Sequence, residues 1–146
     1  MPQGARTVAV CLAVVVLGLL AVGIVSHTLF RHAVQVIPVV IALAGISRRA
    51  AWGRPAALGA FALWFLIMFL IWLFLLGLAR IVTGHYTPAE IALTILIAGA
   101  SAIGFAAGLR LPRLTGRGST LAVALLFFLL SYGAVWFTYH VAVFAR

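Results

Sequence analysis

The chain has no lysine, no aspartate and no asparagine, and its one acidic residue is Glu90. Only 8% of its residues are charged, whereas a soluble domain carries about a quarter. That is too little charge to solvate a separate globular domain. Without aspartate no Ser-His-Asp set can form, and no Asp-rich metal–diphosphate motif exists. There is no P-loop and no Gly-rich dinucleotide turn. The single cysteine, Cys11, lies inside an apolar run, so an internal disulfide is excluded. No acidic residue sits deep in any apolar run, which argues against a proton- or sodium-coupled transporter, because such proteins bind the ion through a buried ionisable group.

What remains is apolar. Hydrophobic residues make up 66% of the chain, and the mean hydropathy is +1.30. Residues 58–79 hold no charge, and fourteen of those 22 positions are Leu, Ile or Phe. Each such residue at a helix centre favours insertion by roughly 0.3 to 0.6 kcal/mol. As a helix the run is about 33 Å long, enough for a hydrocarbon core of about 30 Å.

Five apolar runs are long enough to cross a bilayer: 8–25, 28–47, 58–81, 88–109 and 119–144. A helix is the only open-chain form that satisfies its own backbone there. The expected fold is therefore an all-α integral membrane protein, one transmembrane domain over residues 1–146 with five helices. The joint 26–28 is short for a hairpin, so frayed ends are expected around it. The first run exceeds the 7 to 15 residues of a usual signal h-region, so a retained signal anchor is expected rather than a cleaved peptide.

All ten basic residues are arginine, giving a formal charge of +9. They lie in short loops and form no continuous basic face, so nucleic acid is not an expected partner. The bilayer and its anionic headgroups are. Arg6, Arg48, Arg49, Arg54, Arg110, Arg113 and Arg117 fall on one side of the five-helix scheme, and Arg31, Arg80 and Arg146 on the other. Seven against three places the first group in the cytoplasm, N-terminus in and C-terminus out, as in a multi-pass protein of a bacterial inner membrane. Trp52, Tyr86, Trp136 and Tyr139 fall near the two interfaces, where an aromatic belt belongs.

Several local signals have structural readings. Thr87-Pro88-Ala89-Glu90 is a capping box: Thr87 as N-cap, Pro88 at the first helical position and Glu90 reaching back to the Thr87 amide. Tyr86 and Ile91 are spaced for a hydrophobic staple. Gly84 is a plausible terminator for the third helix. Ala100, Gly104 and Gly108 form a flat face that lets a second helix approach closely. Ala134, Thr138 and Ala142 make a shorter stripe on the last helix. Pro38 kinks the second helix and frees the carbonyl of Val34, and Gln35 can repair the break or bond to another helix. Ser101 and Ser131 can bond back to their own helices.

One constellation points to chemistry. His27, His32, His85 and His140 all fall near the same outer interface. Imidazoles ligate copper, zinc and haem iron. Tyr132, Trp136 and His140 share one helix face, as a cofactor wall or an interfacial belt would. The spacing is not a metal signature: there is no H-x-x-x-H, and no carboxylate is free to orient a ring. Helix spacing also sets His27 and His32 about 140° apart.

The expected function is non-enzymatic. Helix packing would make the chain an accessory or assembly subunit of a membrane complex, with a membrane-protein partner or a second copy of itself, no catalytic residues and no cofactor. The alternative is a redox or metal-binding protein with haem, copper or zinc at the outer histidines. A third reading is a small transporter or channel with its path near Pro38 and Gln35.

Overall fold

The computed structural model describes residues 3–141. They are all-helical, without a strand, in the order α1 (Gln3–Val25), α2 (Leu29–Gln35), α3 (Ile37–Ser47), α4 (Gly53–Leu75), α5 (Pro88–Arg110) and α6 (Arg117–His140). α1, α4, α5 and α6 are each long and apolar enough to cross a membrane, and α2 with α3 makes a fifth, bent span. This is a multi-pass membrane bundle. Arg6, Arg48, Arg49, Arg110, Arg113 and Arg117 lie at one end of it, and all four histidines at the other.

The second span differs from the single kinked helix 28–47 expected from sequence. It is two helices meeting at Val36 with a bend of 42°. Pro38 sits in the first turn of α3, where its missing N–H breaks no ladder bond. Gln35 is 3% exposed and donates from Nε2 to Thr138 Oγ1 at 2.8 Å. That hydroxyl donates in turn to the Val135 carbonyl at 2.9 Å. Gln35 thus ties the break to α6 instead of repairing it within its own helix.

Helix ends also move. Three helices stop on the same C-terminal motif. After α1, Thr28 N–H bonds Gly23 O and His27 N–H bonds Ile24 O. After α3, Ala50 N–H bonds Gly45 O and Arg49 N–H bonds Ile46 O. After α4, Leu78 N–H bonds Leu73 O and Gly77 N–H bonds Phe74 O. Each is a Schellman closure that needs a left-handed residue at its turn. His27, Arg49 and Gly77 fill that position, with φ of 56°, 54° and 72°. Gly77, not Gly84, therefore terminates α4, and residues 76–87 form a loop where the apolar pattern had suggested helix to 81.

α4 starts five residues before the expected 58. Pro55 is in its first turn, where no backbone donor is required. Arg54 is 7% exposed, and its Nε donates to Gly108 O at 2.9 Å while Nη2 donates to Leu109 O at 3.4 Å. It therefore caps the end of α5, where a cation suits the helix dipole. α1 likewise begins at Gln3 and not residue 8, and α6 spans Arg117–His140 where 119–144 was expected. Residues 142–146, with Ala142, Phe144 and Arg146, lie outside the described residues.

Glycine and alanine set the packing. A Cβ on Gly104 would collide with the Phe61 ring of α4, and one on Gly108 would lie 3.0 Å from Leu58. Ala100 is buried beside them. A Cβ on Gly18 of α1 would lie 2.8 Å from Ile97 of α5. A Cβ on Gly59 would strike the Ala124 carbonyl of α6. α1 packs most extensively on α5, and α4 packs on α3, α5 and α6. α5 and α6 scarcely touch. Ser101 and Ser131 are fully buried, and neither hydroxyl has a partner. The expected back-bonds are not made, so at these contacts serine serves through its small size.

Candidate functional site

The end opposite the arginine-rich one carries the four histidines, and the rings of His32 and His140 are held by local partners. His27 is exposed and occupies the left-handed turn position after α1. His32 Nδ1 lies 3.1 Å from both the hydroxyl and the carbonyl oxygen of Thr28. Gly23 leaves room for that ring: a Cβ there would lie 3.0 Å from His32 Cβ. His140 Nδ1 is 2.8 Å from the Trp136 carbonyl, and its ring stacks on Trp136 at 4.3 Å. His85 is exposed in the 76–87 loop. No group of three His, Cys, Asp or Glu that could hold a metal exists among the described residues. No three of His140, His85, His32 and His27 therefore come together as such a group. His32 is anchored at the start of α2 and His140 at the end of α6.

Glu90 is the capping residue at the start of α5. Its Oε2 accepts from Thr87 N at 2.7 Å and from Thr87 Oγ1 at 2.9 Å, while Glu90 N donates to Thr87 Oγ1 at 3.3 Å. Tyr86, just before the cap, tilts against Phe74 with ring centroids 6.2 Å apart. Burial pushes its phenol above the ordinary value, and Tyr139 and Glu90 act in the same direction. The Arg31 guanidinium lies 4.5 Å over the Tyr139 ring, a cation–π contact that ties α2 to α6. This end is an aromatic and polar rim.

The opposite end holds the feature that sequence reading missed. Because α5 and α6 both pack on α4 and scarcely on each other, a groove of about 570 Å³ opens between them over α4. Its floor is Leu58, Gly59 and Ala62; Phe105 and Leu109 line one wall, and Leu121, Leu125 and Phe128 the other. Arg54, Arg113, Arg117 and Thr120 line it as well. A second hollow of about 530 Å³ shares Ala62 and Phe105 with the first and carries it onward along α4 to Phe69. The available signal was Gly53-Arg54-Pro55: a proline in a first turn marks a helix start, which places Arg54 inside the helix rather than in a loop.

No protein-family model, no curated protein and no solved structure matches the chain.

Proposed function

We propose that this chain is a non-enzymatic subunit of a larger assembly in a bacterial inner membrane, working by helix packing as an accessory or assembly factor. The arginine-rich end faces the cytoplasm in this reading, with the N-terminus in and the C-terminus out, as the arginine distribution favours. The observation that carries the proposal is the state of α6. Only 11% of its apolar window is buried, against 33 to 44% for the other unbroken spans. Ala122, Leu126, Leu129, Gly133 and Trp136 make one outward face, and all are exposed. Gly133 has nothing within 4 Å of a built Cβ, and Gly99 on α5 is equally open. Small residues on a membrane helix favour close approach of a second helix.

Purification from native membranes in mild detergent tests this. The expected result is a colourless protein carrying one fixed partner, or a second copy of itself, in constant ratio. Haem absorbance or stoichiometric copper or zinc, with no partner, would replace this reading with a redox one. A reporter after Arg146 that is active in the cytoplasm would overturn the orientation.

A further inference from the structure

We infer that the groove between α5 and α6 is a specific binding site for one anionic phospholipid, its phosphate at the arginines and one acyl chain along α4. The argument starts from charge. Arg54, Arg113 and Arg117 line one groove, and Arg113 adds a repulsive charge beside Arg54. No acidic side chain can neutralise them, because the only one, Glu90, caps α5 at the far end of the bundle. Arg54 is more than nine-tenths buried; Nε and Nη2 serve the end of α5, and Nη1 is buried without a partner. A buried guanidinium left partly unpaired is costly, and a nearby anion lowers that cost.

The start of α6 adds donors at the same place. Its N-cap is Gly116, which has no side chain to bond the first-turn amides. Such amides, with the helix dipole behind them, favour a phosphate.

The remainder of the groove is apolar, which selects the rest of the ligand. Beyond the arginines and Thr120 the lining is Leu, Ala, Gly and Phe. Free phosphate would leave that surface unused. From Arg54 to Phe69 the groove follows α4 for about 22 Å. One acyl chain spans half the hydrocarbon core, about 15 Å, so the length is sufficient. Gly59 and Ala62 keep the floor low enough to admit it.

The test uses the full chain in detergent and native mass spectrometry, with phosphatidylglycerol and phosphatidylcholine offered in equal amounts. We expect one phosphatidylglycerol retained in at least tenfold preference. Arg113 and Arg117 are exposed, so Arg113→Gln with Arg117→Gln leaves the fold intact. At about 1 kcal/mol per arginine near an anionic surface, the pair lowers retention roughly thirtyfold. Ala62→Phe keeps every arginine and fills the floor; it also lowers phosphatidylglycerol retention if the chain lies there. Millimolar inorganic phosphate should not displace the lipid. Equal retention of phosphatidylcholine, an unaffected Ala62→Phe variant, or full displacement by phosphate would each overturn the assignment. The last result would reveal a plain anion site. Should the double-arginine variant aggregate, the Ala62→Phe and phosphate arms still decide.

Discussion

α4 and α6 are near equals on paper. They have 23 and 24 residues, and their apolar 18-residue windows have mean hydropathies of 2.6 and 2.1. Yet 44% of the apolar window of α4 is buried and 11% of that of α6. The first half of α4 carries Gly53, Ala56, Ala57, Gly59 and Ala60, all buried. α6 buries only Phe127, Ser131 and Thr138, a single narrow stripe. Apolarity cannot sort the two, because lipid tails are as apolar as leucine. What brings backbones together is small side chains at matching heights, with a few polar ties such as Arg54 to α5. Hydropathy locates spans in such a protein, and small residues decide which of them touch.

The sharpest attack on this contrast is the same Gly→Leu change at different places. Gly59→Leu should have the largest effect, since even a Cβ strikes the backbone carbonyl of Ala124, which cannot rotate away. Gly104→Leu follows, driving into the buried Phe61 ring. Overpacking of this kind costs about 1 to 3 kcal/mol or more. Detergent-unfolding midpoints would measure it. Wild-type midpoints for both variants would mean that α4 is not held by close approach.

Arg54→Gln comes next. It removes charge-assisted bonds to Gly108 and Leu109, each class of bond contributing about 1.5 to 3 kcal/mol. A loss near 2 kcal/mol is expected, with faster amide exchange at the end of α5. Arg54→Lys should restore only part of it, since an ammonium lacks the planar fork. Full rescue by lysine would reduce the cap to a charge effect.

The cap at the other end of α5 is weaker. Thr87→Ala should cost about 1 kcal/mol, read from the same unfolding curves. The loss should be local, because Thr87 is exposed and its hydroxyl bonds only to Glu90.

The capping box, the number of spans and the small-residue stripe at Ala100, Gly104 and Gly108 were legible in the sequence, because each follows from local spacing. The helix ends at His27 and Arg49 were not. A left-handed position normally announces itself by glycine, as at Gly77, and here two other residues occupy it. The groove was hidden for a related reason. Arg54 reads as one more loop arginine until Pro55 is counted as a first-turn residue. That α5 and α6 both pack on α4 but scarcely on each other is a long-range fact that no periodicity encodes. The histidines share one end, as their positions imply, but shared height does not make a group of three ligands among the described residues. His32 is turned to Thr28 and His140 to Trp136 by bonds four residues back along their own helices.

The smallest effect is expected from Gly133→Leu on α6, and it bears most directly on function. Nothing lies within 4 Å of a Cβ at this position. The added side chain meets no neighbour in the isolated chain, and helix propensity favours leucine by roughly 0.5 to 1 kcal/mol over glycine. The unfolding midpoint should stay put or rise slightly, opposite in sign to Gly59→Leu and Gly104→Leu. If α6 presents its outward face to another helix, however, the same leucine holds that helix away. The partner, or the second copy, should then be lost from the purified complex while the chain itself remains folded. Loss of stability in the isolated chain would show that α6 is already covered, and the contrast with α4 would fail. An unchanged midpoint together with an unchanged complex would leave this face to lipid and move the search for a partner to the open side of α5 at Gly99.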